Sequence, residues 1–484
     1  MPDRPQPERI QGAAARCSRR ELLFRTANGF AGIAMAYLAG RESLAADPRN
    51  ELNGGLHHRA KVRRVIQLFM NGGASQLDTF DYKPVLVKRH GERPDPKSVD
   101  TPGDNWGAYM KSPFEFKQYG QSGRWVSSMY PQLAQRVDDI AFLMAMTAKT
   151  NTHGPASFLM NTGFLLPGFP SMGAWISYGL GTLNDNLPTF VVLPDARGLP
   201  YNQTANFQAG FLPMAHQGTV IYASSPNPIP DLFPAPAARY ITGESTKDGL
   251  RLLEAMNRRH LAELEGESAL EARIASYELA ARMQVSAPEV FDLAKETEAT
   301  RKLYGLDRKE TEDFGRRCLM ARRMVERGVR FVQVWSGPGG ASSNWDNHSS
   351  IEKELPPMAV STDQPMAGLL TDLKARGLLE DTLVVWSTEF GRTPYSQGGK
   401  GGRDHNGGTF VAWMAGAGIS GGVSHGESDE LGAKAATGIT RCYDLHATIL
   451  HLMGVDHTRL TYRHNGIGRR LTDVHGQLIR EVLA

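Results

Sequence analysis

The chain has 484 residues, enough for a large buried core in one elaborated domain or in roughly two or three average ones. Its 54 lysines and arginines nearly balance its 51 aspartates and glutamates, so the formal charge is only +3. No basic run alternates with stacking aromatic residues, and we therefore predict no nucleic-acid partner. The 51 glycines and 28 prolines indicate many loops, which is more typical of an enzyme than of a helical scaffold.

Residues 1–46 carry the pattern of a twin-arginine (Tat) export signal. The letters SRRELL at 18–23 are followed by a mild apolar run over 29–40 and by small residues before Asp47. The apolar run has about a dozen residues, fewer than the ~20 that a membrane span needs. We predict cleavage of this signal, delivery to the periplasm or the cell exterior, and no transmembrane span in the mature chain. An ordinary amphipathic N-terminal helix is the alternative.

The three cysteines are too few for a fold built on disulfides. Cys17 lies in the leader, which leaves Cys318 and Cys442 without a CxxC spacing. We expect these two to be buried free thiols, and a single bridge between them is the alternative.

An apolar strand over 61–70 is followed by the letters NGG and then by Asp78. A carboxylate at the end of a first strand is frequent in metal-dependent α/β hydrolases, because ligands collect at the carboxyl ends of such strands. Asp78 is therefore a candidate metal ligand, and a helix N-cap is the alternative.

We predict a surface loop over 91–125, a short helix over 130–137 and a strand over 140–146. A second polar cluster follows this strand. Its letters TNTHGPAS occupy 150–157 and lead into another helix. Oriented backbone N–H groups at a helix start favour an anion. His153, at this start, is therefore a candidate site residue.

The middle of the chain changes character near residue 246. Before this point we predict a helix over 171–180, a strand over 189–193 and an irregular region over 196–240. An irregular region of this length usually carries function or lines a pocket. Beyond it, Ala, Leu, Glu, Arg and Met recur at helical spacing. We predict a helical insertion over 246–330 whose apolar side chains serve packing.

A strand over 329–334 leads to Asp346 and His348 in a polar loop. A carboxylate and an imidazole together suit a divalent ion of intermediate softness, so the two residues are candidate metal ligands. A solvated loop or a helix cap is the alternative. An amphipathic helix over 365–377 follows.

The stretch 381–408 combines an apolar strand with residues that a core does not favour. Glu389 and Arg392 follow the strand DTLVVWS, and Asp404 and His405 follow a glycine-rich loop. Strand ends of an open α/β sheet collect ligands, because the loops there vary while the sheet fixes their ends. We expect this stretch to form one wall of an active site.

The C-terminal part is predicted to contain a strand over 409–416, a glycine-rich hairpin or loop over 418–429, and a helix over 445–453. His446 in that helix is expected to be an ordinary helix residue. A final helix is predicted within the tail over 460–483.

A set of motifs in chain order resembles the exported family called "domain of unknown function 1501". The motifs are FMNGGASQLDTFDYKP, HGPASFLMNTG, WDNH, TEFGRTP, GRDHN, YDLHATILHLMGVDH and RLTDVHG. This family is placed in the alkaline phosphatase and sulfatase superfamily. The resemblance implies one α/β domain over 60–484, with a doubly wound, mostly parallel sheet and one or two metal ions at the strand ends.

The resemblance also implies roles for single residues. Asp78 corresponds to the aspartate that binds metal after the first strand, and Asp346 and His348 correspond to a second metal-binding element. His153 stands where sulfatases carry a modified cysteine, so the position of the nucleophile has no serine, threonine or cysteine. His153 is predicted to act as nucleophile, as general base or as metal ligand.

The position of the superfamily's Asp-His pair has two alignments. By letters the pair is Asp404 with His405. By strand order, which we favour, Glu389 and Phe390 occupy the place of the pair and His405 is a third metal-binding histidine. Glu389 and Asp404 are then ligands or carboxylates that orient a histidine.

Residues and resemblance together predict an exported, metal-dependent hydrolase of sulfate or phosphate esters, with esters of carbohydrates among its substrates. A divalent ion (Zn²⁺, Ca²⁺, Mg²⁺ or Mn²⁺) would be bound by Asp78, Asp346, His348 and His405. Arg392 would hold two anionic oxygens of the substrate with its planar fork. The alternative is a catalytically degenerate protein that binds a sulfated or phosphorylated glycan, or a partner protein, in the same cleft.

Overall fold

The computed structural model describes residues 56–96, 106–225, 227–229, scattered positions between 248 and 283, 289–340 and 343–484. The predicted export signal and most of 246–288 lie outside these residues, so the signal and the helical insertion stay predictions. Ala60–Ala484 form one compact unit. Among the residues described, no helix is both long and apolar enough to span a membrane.

Strands and helices alternate along much of this unit. The strands are β1 (Arg64–Met70), β2 (Trp106–Tyr109), β3 (Phe116–Tyr119), β4 (Arg124–Ser127), β5 (Ile140–Thr147), β6 (Phe190–Leu193), β7 (Thr219–Val220), β8 (Phe331–Ser336), β9 (Thr382–Ser387), β10 (Gly391–Gln397), β11 (Arg403–Asn406), β12 (Phe410–Gly416), β13 (Ser424–His425), β14 (Glu427–Ser428), β15 (Ala435–Thr437), β16 (Thr440–Arg441), β17 (Tyr462–His464) and β18 (Ile467–Arg469). The helices are α1 (Pro84–Lys88), α2 (His153–Thr162), α3 (Met172–Leu180), α4 (Glu298–Leu303), α5 (Glu312–Glu326), α6 (Ile351–Ala375) and α7 (Cys442–Leu452).

One large sheet organises the fold, with strands in the order β13-β5-β12-β9-β1-β8-β6-β7 and with β16 beside β5. Neighbouring strands are parallel except at β12, which is antiparallel to both β5 and β9. Strand β12 reverses because the chain returns to β9 through the hairpin of β10 and β11, without a crossover helix. The predicted α/β fold with a mostly parallel sheet is confirmed.

Helices cover both faces of the sheet, as a doubly wound fold requires. On one face, Leu68 of β1 and Leu370 of α6 belong to the same buried cluster. On the other face, Gln333 of β8 donates to Gln67 Oε1 at 3.0 Å and to Asn161 Oδ1 of α2 at 2.6 Å. This division follows from strand geometry, since successive side chains point to opposite faces.

Helix α6 begins earlier than predicted. The predicted start at residue 365 is wrong, because the helix already begins at Ile351 and contains three prolines. A proline inside a helix removes one backbone hydrogen bond, which argued against a helix here. Burial of Leu355 and Met358 in the core offsets that cost.

Two connecting segments contain strands that were not predicted. The described part of 91–125 is not a plain loop, since it contains β2 and the paired strands β3 and β4. The tail over 460–483 contains the hairpin of β17 and β18, and its final helix is a 3-10 turn over Arg480–Val482. Asn465 and Gly466 connect these strands with φ values of 49° and 79°, the backbone that an Asn-Gly hairpin turn requires.

The expected free thiols are confirmed. Cys318 and Cys442 are both buried and unpaired with each other. Burial raises the pKa of both thiols, so neither is a reactive thiolate at neutral pH.

Candidate metal centre

The carboxyl edge of the sheet collects side chains from several parts of the chain. His153 begins α2 after β5, Asp346 and His348 follow β8, and Glu389 follows β9. These strands end at the same edge because they run parallel. His405 reaches the edge from β11.

The backbone at Gly72 lets the loops after β1 and β8 approach each other closely. Its φ is +122°, and a Cβ there would lie 2.7 Å from the backbone nitrogen of Asp346 and 2.8 Å from that of Trp345. Only glycine accepts both this backbone conformation and this proximity. The NGG turn therefore fixes the position of Asp346.

Four side chains form a cluster that we call the metal centre: His153, Asp346, His348 and His405. One possible ligand atom of each lies within 4.8 Å of the others. Asp346 Oδ1 lies 3.2 Å from His153 Nε2, 2.7 Å from His348 Nε2 and 3.0 Å from His405 Nε2. The Nε2 atoms of His348 and His405 are 2.9 Å apart.

The outer nitrogen of each imidazole is held by an oxygen acceptor. His153 Nδ1 lies 2.7 Å from Glu389 Oε1, and His405 Nδ1 lies 2.8 Å from the carbonyl oxygen of Asn151. His348 Nδ1 contacts Gln397 Oε1. A neutral ring that donates from Nδ1 carries a lone pair on Nε2, so three lone pairs converge on Asp346 Oδ1.

This arrangement fits a metal ion. Lone pairs and a carboxylate oxygen repel each other at these distances unless a cation lies between them. His153 Nε2 is buried and makes no hydrogen bond. Histidine ligands commonly donate from their second nitrogen to a carboxylate or a backbone carbonyl, as His153 and His405 do. The four side chains can therefore hold a metal ion.

The charges around Asp346 shift the pKa values of its neighbours. Burial disfavours the Asp346 carboxylate, but its contacts with the three histidines and the charge of Arg392 hold its pKa far below the usual range. Burial also disfavours the charged form of His153, yet Asp346 and Glu389 together raise the pKa of His153 to about 9. Burial lowers the pKa of His405. Without an ion, His153 is thus the ring that takes up a proton.

Arg392 has contacts different from those predicted. It is fully buried, and its Nη2 lies 2.6 Å from Asp346 Oδ1. Its Nε donates to the carbonyl of Gly73 at 2.7 Å and its Nη1 to that of Arg403 at 3.1 Å. A guanidinium already used in this way has no free fork for a substrate. The structure places Arg392 against Asp346 and against backbone carbonyls of the surrounding turns.

Asp78 is not part of the metal centre. Its two carboxylate oxygens lie 2.6 Å and 3.2 Å from Nε and Nη2 of Arg403, and both side chains are fully buried. A buried carboxylate needs such a partner, since an unpaired charge in the core is costly. Asp78 thus neutralises Arg403 instead of reaching the cluster.

The two predicted positions for the Asp-His pair have different surroundings. Glu389 is fully buried, and its Oε1 accepts from the backbone of Gly72 at 2.8 Å while it holds His153. Asp404 accepts from the backbone of His405 at 2.8 Å and its side chain stays outside the cluster. His405 therefore belongs to the cluster and Asp404 does not, while the assignment of either residue as a metal ligand stays a prediction.

Tyr201 is a site residue that the sequence did not reveal. Its ring stacks on His153 with centroids 4.3 Å apart and planes at 5°. Its hydroxyl donates to the carbonyl of Gly340 at 2.6 Å. Asn202, directly after it, has a positive φ of 62°, a conformation that asparagine tolerates better than most residues. The available signal was the long irregular region over 196–240, expected to line a pocket.

Solved structures that resemble the chain include sulfatases and a phosphatase. The PsFucS1 sulfatase from Pseudoalteromonas sp. has 12% sequence identity and a TM-score of 0.36, with 87% of this chain and 71% of that chain covered. For Ps i-CgsB the identity is 9% and the TM-score 0.36, with 81% and 72% covered. For a mutant of TAB5 alkaline phosphatase with Mg bound in its M3 site, the identity is 9% and the TM-score 0.33, with 77% and 97% covered.

The sequence itself matches one family. No curated protein matches the chain. A family model described as "Protein of unknown function (DUF1501)" matches residues 62–483, nearly all of the part that follows the predicted signal. The predicted family is confirmed: the chain belongs to the DUF1501 family of proteins of unknown function.

Proposed function

We propose that this chain is an exported, metal-dependent hydrolase of sulfate or phosphate esters. The observation that supports it most is the convergence of three imidazole nitrogens and one carboxylate oxygen at the carboxyl edge of the sheet. In hydrolysis, the oxygen of water bonds to sulfur or phosphorus, the ester bond breaks, and the alcohol leaves with a proton. A divalent ion at the centre would supply a Lewis acid that polarises the ester and acidifies water.

We assign the ion to Asp346, His348 and His405. Two histidines and one carboxylate are a common set in catalytic zinc sites, where a fourth position stays open for water or substrate. His153 Nε2 lies farther from Asp346 Oδ1 than the other two rings do, at 3.2 Å. Imidazole ligands favour Zn²⁺ over Ca²⁺, Mg²⁺ and Mn²⁺, which prefer oxygen.

His153 is then the general base. Its Nε2 lies 3.2 Å from Asp346 Oδ1, beside the proposed ion, and Glu389 holds its Nδ1 at 2.7 Å. The carboxylate fixes the tautomer and stabilises the ring when Nε2 takes a proton from the attacking water. Tyr201 stacks on the ring and restricts its rotation. Arg392 holds Asp346 in place from the other side.

Metal analysis and hydrolysis assays test this function. We expect about one bound divalent ion per chain and turnover of 4-nitrophenyl sulfate or 4-nitrophenyl phosphate that a chelator abolishes. His153→Ala is expected to retain the ion but to lose turnover by roughly 10²–10⁴-fold, the usual contribution of a general base. If this variant loses the ion, His153 is a metal ligand and not the general base. No bound ion and no turnover of either ester after metal addition would falsify the function.

A second candidate function is binding without turnover, of a sulfated or phosphorylated glycan or of a protein partner. One observation favours it: among the described residues, no serine, threonine or cysteine side chain hydrogen-bonds to the four residues of the metal centre. This candidate predicts that the wild-type chain binds such ligands and turns over no ester. The same hydrolysis assays separate the two functions.

Export rests on the leader sequence alone. The letters SRRELL at 18–23 support Tat export, which carries chains that have already folded. We expect the wild-type chain in the periplasmic fraction or the medium, and we expect the double variant Arg19→Lys, Arg20→Lys to remain in the cytoplasm with its signal uncleaved. Equal export of both proteins, measured by fractionation and N-terminal mass, contradicts a Tat signal.

A further inference from the structure

A pocket of about 570 Å³ opens next to the metal centre. His405 and Asn151 form part of its wall, and the carbonyl of Asn151 holds His405 Nδ1 at 2.8 Å. The pocket is therefore bounded by the ring of His405, whose other nitrogen, Nε2, lies 3.0 Å from Asp346 Oδ1. Its volume is within the range of roughly 300–1,000 Å³ that small-molecule sites occupy.

One wall of the pocket is apolar. Tyr109, Tyr395 and Leu431 line it and belong to a small buried cluster of their own, separate from the main core. The rings of Tyr109 and Tyr395 lie 5.8 Å apart. Such a wall favours a ligand with an apolar ring face, since contact with it removes apolar surface from water.

The pocket wall also carries positive charge. Lys149 lines the pocket and is exposed, and its Nζ donates to the hydroxyl of Tyr443 at 2.9 Å and lies 4.8 Å from the centre of that ring. Within the described part of the chain, Lys149 forms no ion pair with a carboxylate. Tyr443 thus fixes this cation in place without neutralising it.

The other charged residues of the wall are Lys434 and Asp429. The carboxylate of Asp429 accepts backbone N–H groups from Leu431 at 3.1 Å, from Ala433 at 2.8 Å and from Lys434 at 3.2 Å, so it shapes its own turn. With two lysines and one aspartate, the formal charge of the wall is +1. The pocket therefore favours a ligand that carries a negative charge.

We propose that this pocket takes the alcohol part of the ester, and that Lys149 selects ring alcohols bearing a second negative charge, such as a carboxylate. This proposal rests on the proposed function and adds the substrate class, which is the sulfate or phosphate esters of ring acids that carry a hydroxyl group. The sulfate or phosphate group lies at the metal centre, the ring lies against Tyr109 and Tyr395, and the second charge faces Lys149.

The test uses the sulfate and phosphate monoesters of 3-hydroxybenzoate and of 3-hydroxybenzamide, which share a ring and differ by one charge. We expect kcat/KM of the ion-loaded wild-type chain to be about fivefold higher for the acid esters, the effect of one partly exposed charge pair. The ratio falls as salt is raised, because salt screens exposed charges. Lys149→Met lowers the ratio to about one. The control Lys117→Met, which removes an exposed lysine outside the pocket, keeps it.

Calorimetric affinity of the same esters makes the result independent of turnover. If the acid esters bind more tightly and Lys149→Met removes the difference, the charge selection holds even where no ester is hydrolysed and the proposed function fails. If the wild-type chain hydrolyses and binds acid and amide esters equally, the charge selection is wrong while the proposed function stands. If no ester binds at all, both are overturned.

Discussion

Two groups of partly buried charged side chains in this protein differ in how their charges are paired. The first, which we call the arginine cluster, joins α5, α6 and the segment before α4, and consists of Glu296, Arg322, Arg323, Glu326, Asp372 and Arg376. Arg322 places Nη2 2.8 Å from Glu296 Oε2 and Nε 2.9 Å from Asp372 Oδ2. Each carboxylate of the cluster faces a guanidinium, so the charges cancel in pairs.

The metal centre is arranged differently. Three Nε2 lone pairs surround a single carboxylate oxygen, that of Asp346, and a second carboxylate, Glu389, lies behind His153. Apart from the Arg392 guanidinium, which contacts Asp346, the polar atoms that face each other here are acceptors. The charges of the arginine cluster balance each other, whereas the four side chains of the metal centre have an arrangement that could hold a cation. Convergent acceptors, and not burial or charge alone, are therefore the feature on which the proposed ion site rests.

Breaking the arginine cluster should have the largest effect on stability. Arg322→Met removes the most buried cation of the cluster, which contacts Glu296, Glu326 and Asp372, and we expect the free energy of unfolding to fall by about 3–5 kcal/mol. Urea unfolding measures this. Lys117→Met, at a side chain that is 69% exposed, serves as control and is expected to change stability by less than about 0.5 kcal/mol. A similar small effect of both substitutions shows that the cluster does not hold α5 to α6.

Adding a divalent ion should stabilise the metal centre and leave the arginine cluster unaffected. At a free ion concentration 100 times the dissociation constant, the expected gain is about 2.7 kcal/mol. Asp346→Asn abolishes the gain, because it removes the oxygen on which the three rings converge. Arg322→Met is expected to gain the same free energy of unfolding from the ion, although its stability without the ion is lower. Thermal unfolding with Zn²⁺ and with chelator measures both; an equal gain in Asp346→Asn places the ion elsewhere.

A buried histidine outside both groups should make the fold sensitive to acid. His446 is fully buried, its Nε2 donates to the carbonyl of Met160 at 2.9 Å, and burial lowers its pKa to about 4. The unfolded chain takes up a proton below about pH 6.5 while the folded chain does not, so stability is lost as pH falls from about 6.5 towards 4.

At pH 5 this residue should cost about 2 kcal/mol relative to pH 7.5. His446→Gln keeps a donor for the Met160 carbonyl but has no titrating ring, so the loss of stability between the two pH values should shrink by that amount. Urea unfolding of both proteins at pH 7.5 and pH 5 checks it. Parallel losses in the two proteins assign the acid sensitivity to other groups.

The last expected effect is the pH dependence of ion affinity. Without an ion, His153 keeps its proton up to a pH of about 9, and a cation beside its Nε2 expels that proton. Affinity should therefore rise up to about tenfold per pH unit between pH 7 and pH 9 and then level off. Glu389→Gln removes one of the carboxylates that raise the pKa of His153, so the rise should end at a lower pH.

Calorimetry in buffers of different ionisation enthalpy measures this effect directly, because it counts the protons released on ion binding. We expect close to one proton per ion for the wild-type chain at pH 7.5 and fewer for Glu389→Gln. An affinity that does not change with pH, together with no proton release, shows that the ion and the His153 proton do not compete.

The strands that carry the site could be predicted because each is a continuous apolar run that ends in polar residues. Every position of β8 and β9 is buried, as in a sheet covered on both faces. His153, Asp346 and His348 follow such strands, so their convergence follows from parallel strand direction. Strand order also separated His405 from the neighbouring Asp404, which a dipeptide pattern alone did not.

Pairings between distant residues could not be predicted. Asp78 and Arg403 are 325 positions apart, and nothing in the letters around either one signals a buried ion pair. The same holds for Arg392, whose donors are used by backbone carbonyls that any sequence possesses. In a sequence, a charged residue at a strand end that binds a ligand cannot be told from one that forms an ion pair with another part of the chain.

The close approach at Gly72 bears on which ion the proposed site would hold. Backbone atoms set the distance between the turn after β1 and the backbone of Asp346. Ca²⁺ needs oxygen contacts of about 2.3–2.6 Å, longer than the roughly 2.0–2.2 Å of Zn²⁺. A backbone that cannot retreat on this side would favour the smaller ion, so a glycine that offers no ligand of its own would contribute to the choice of metal.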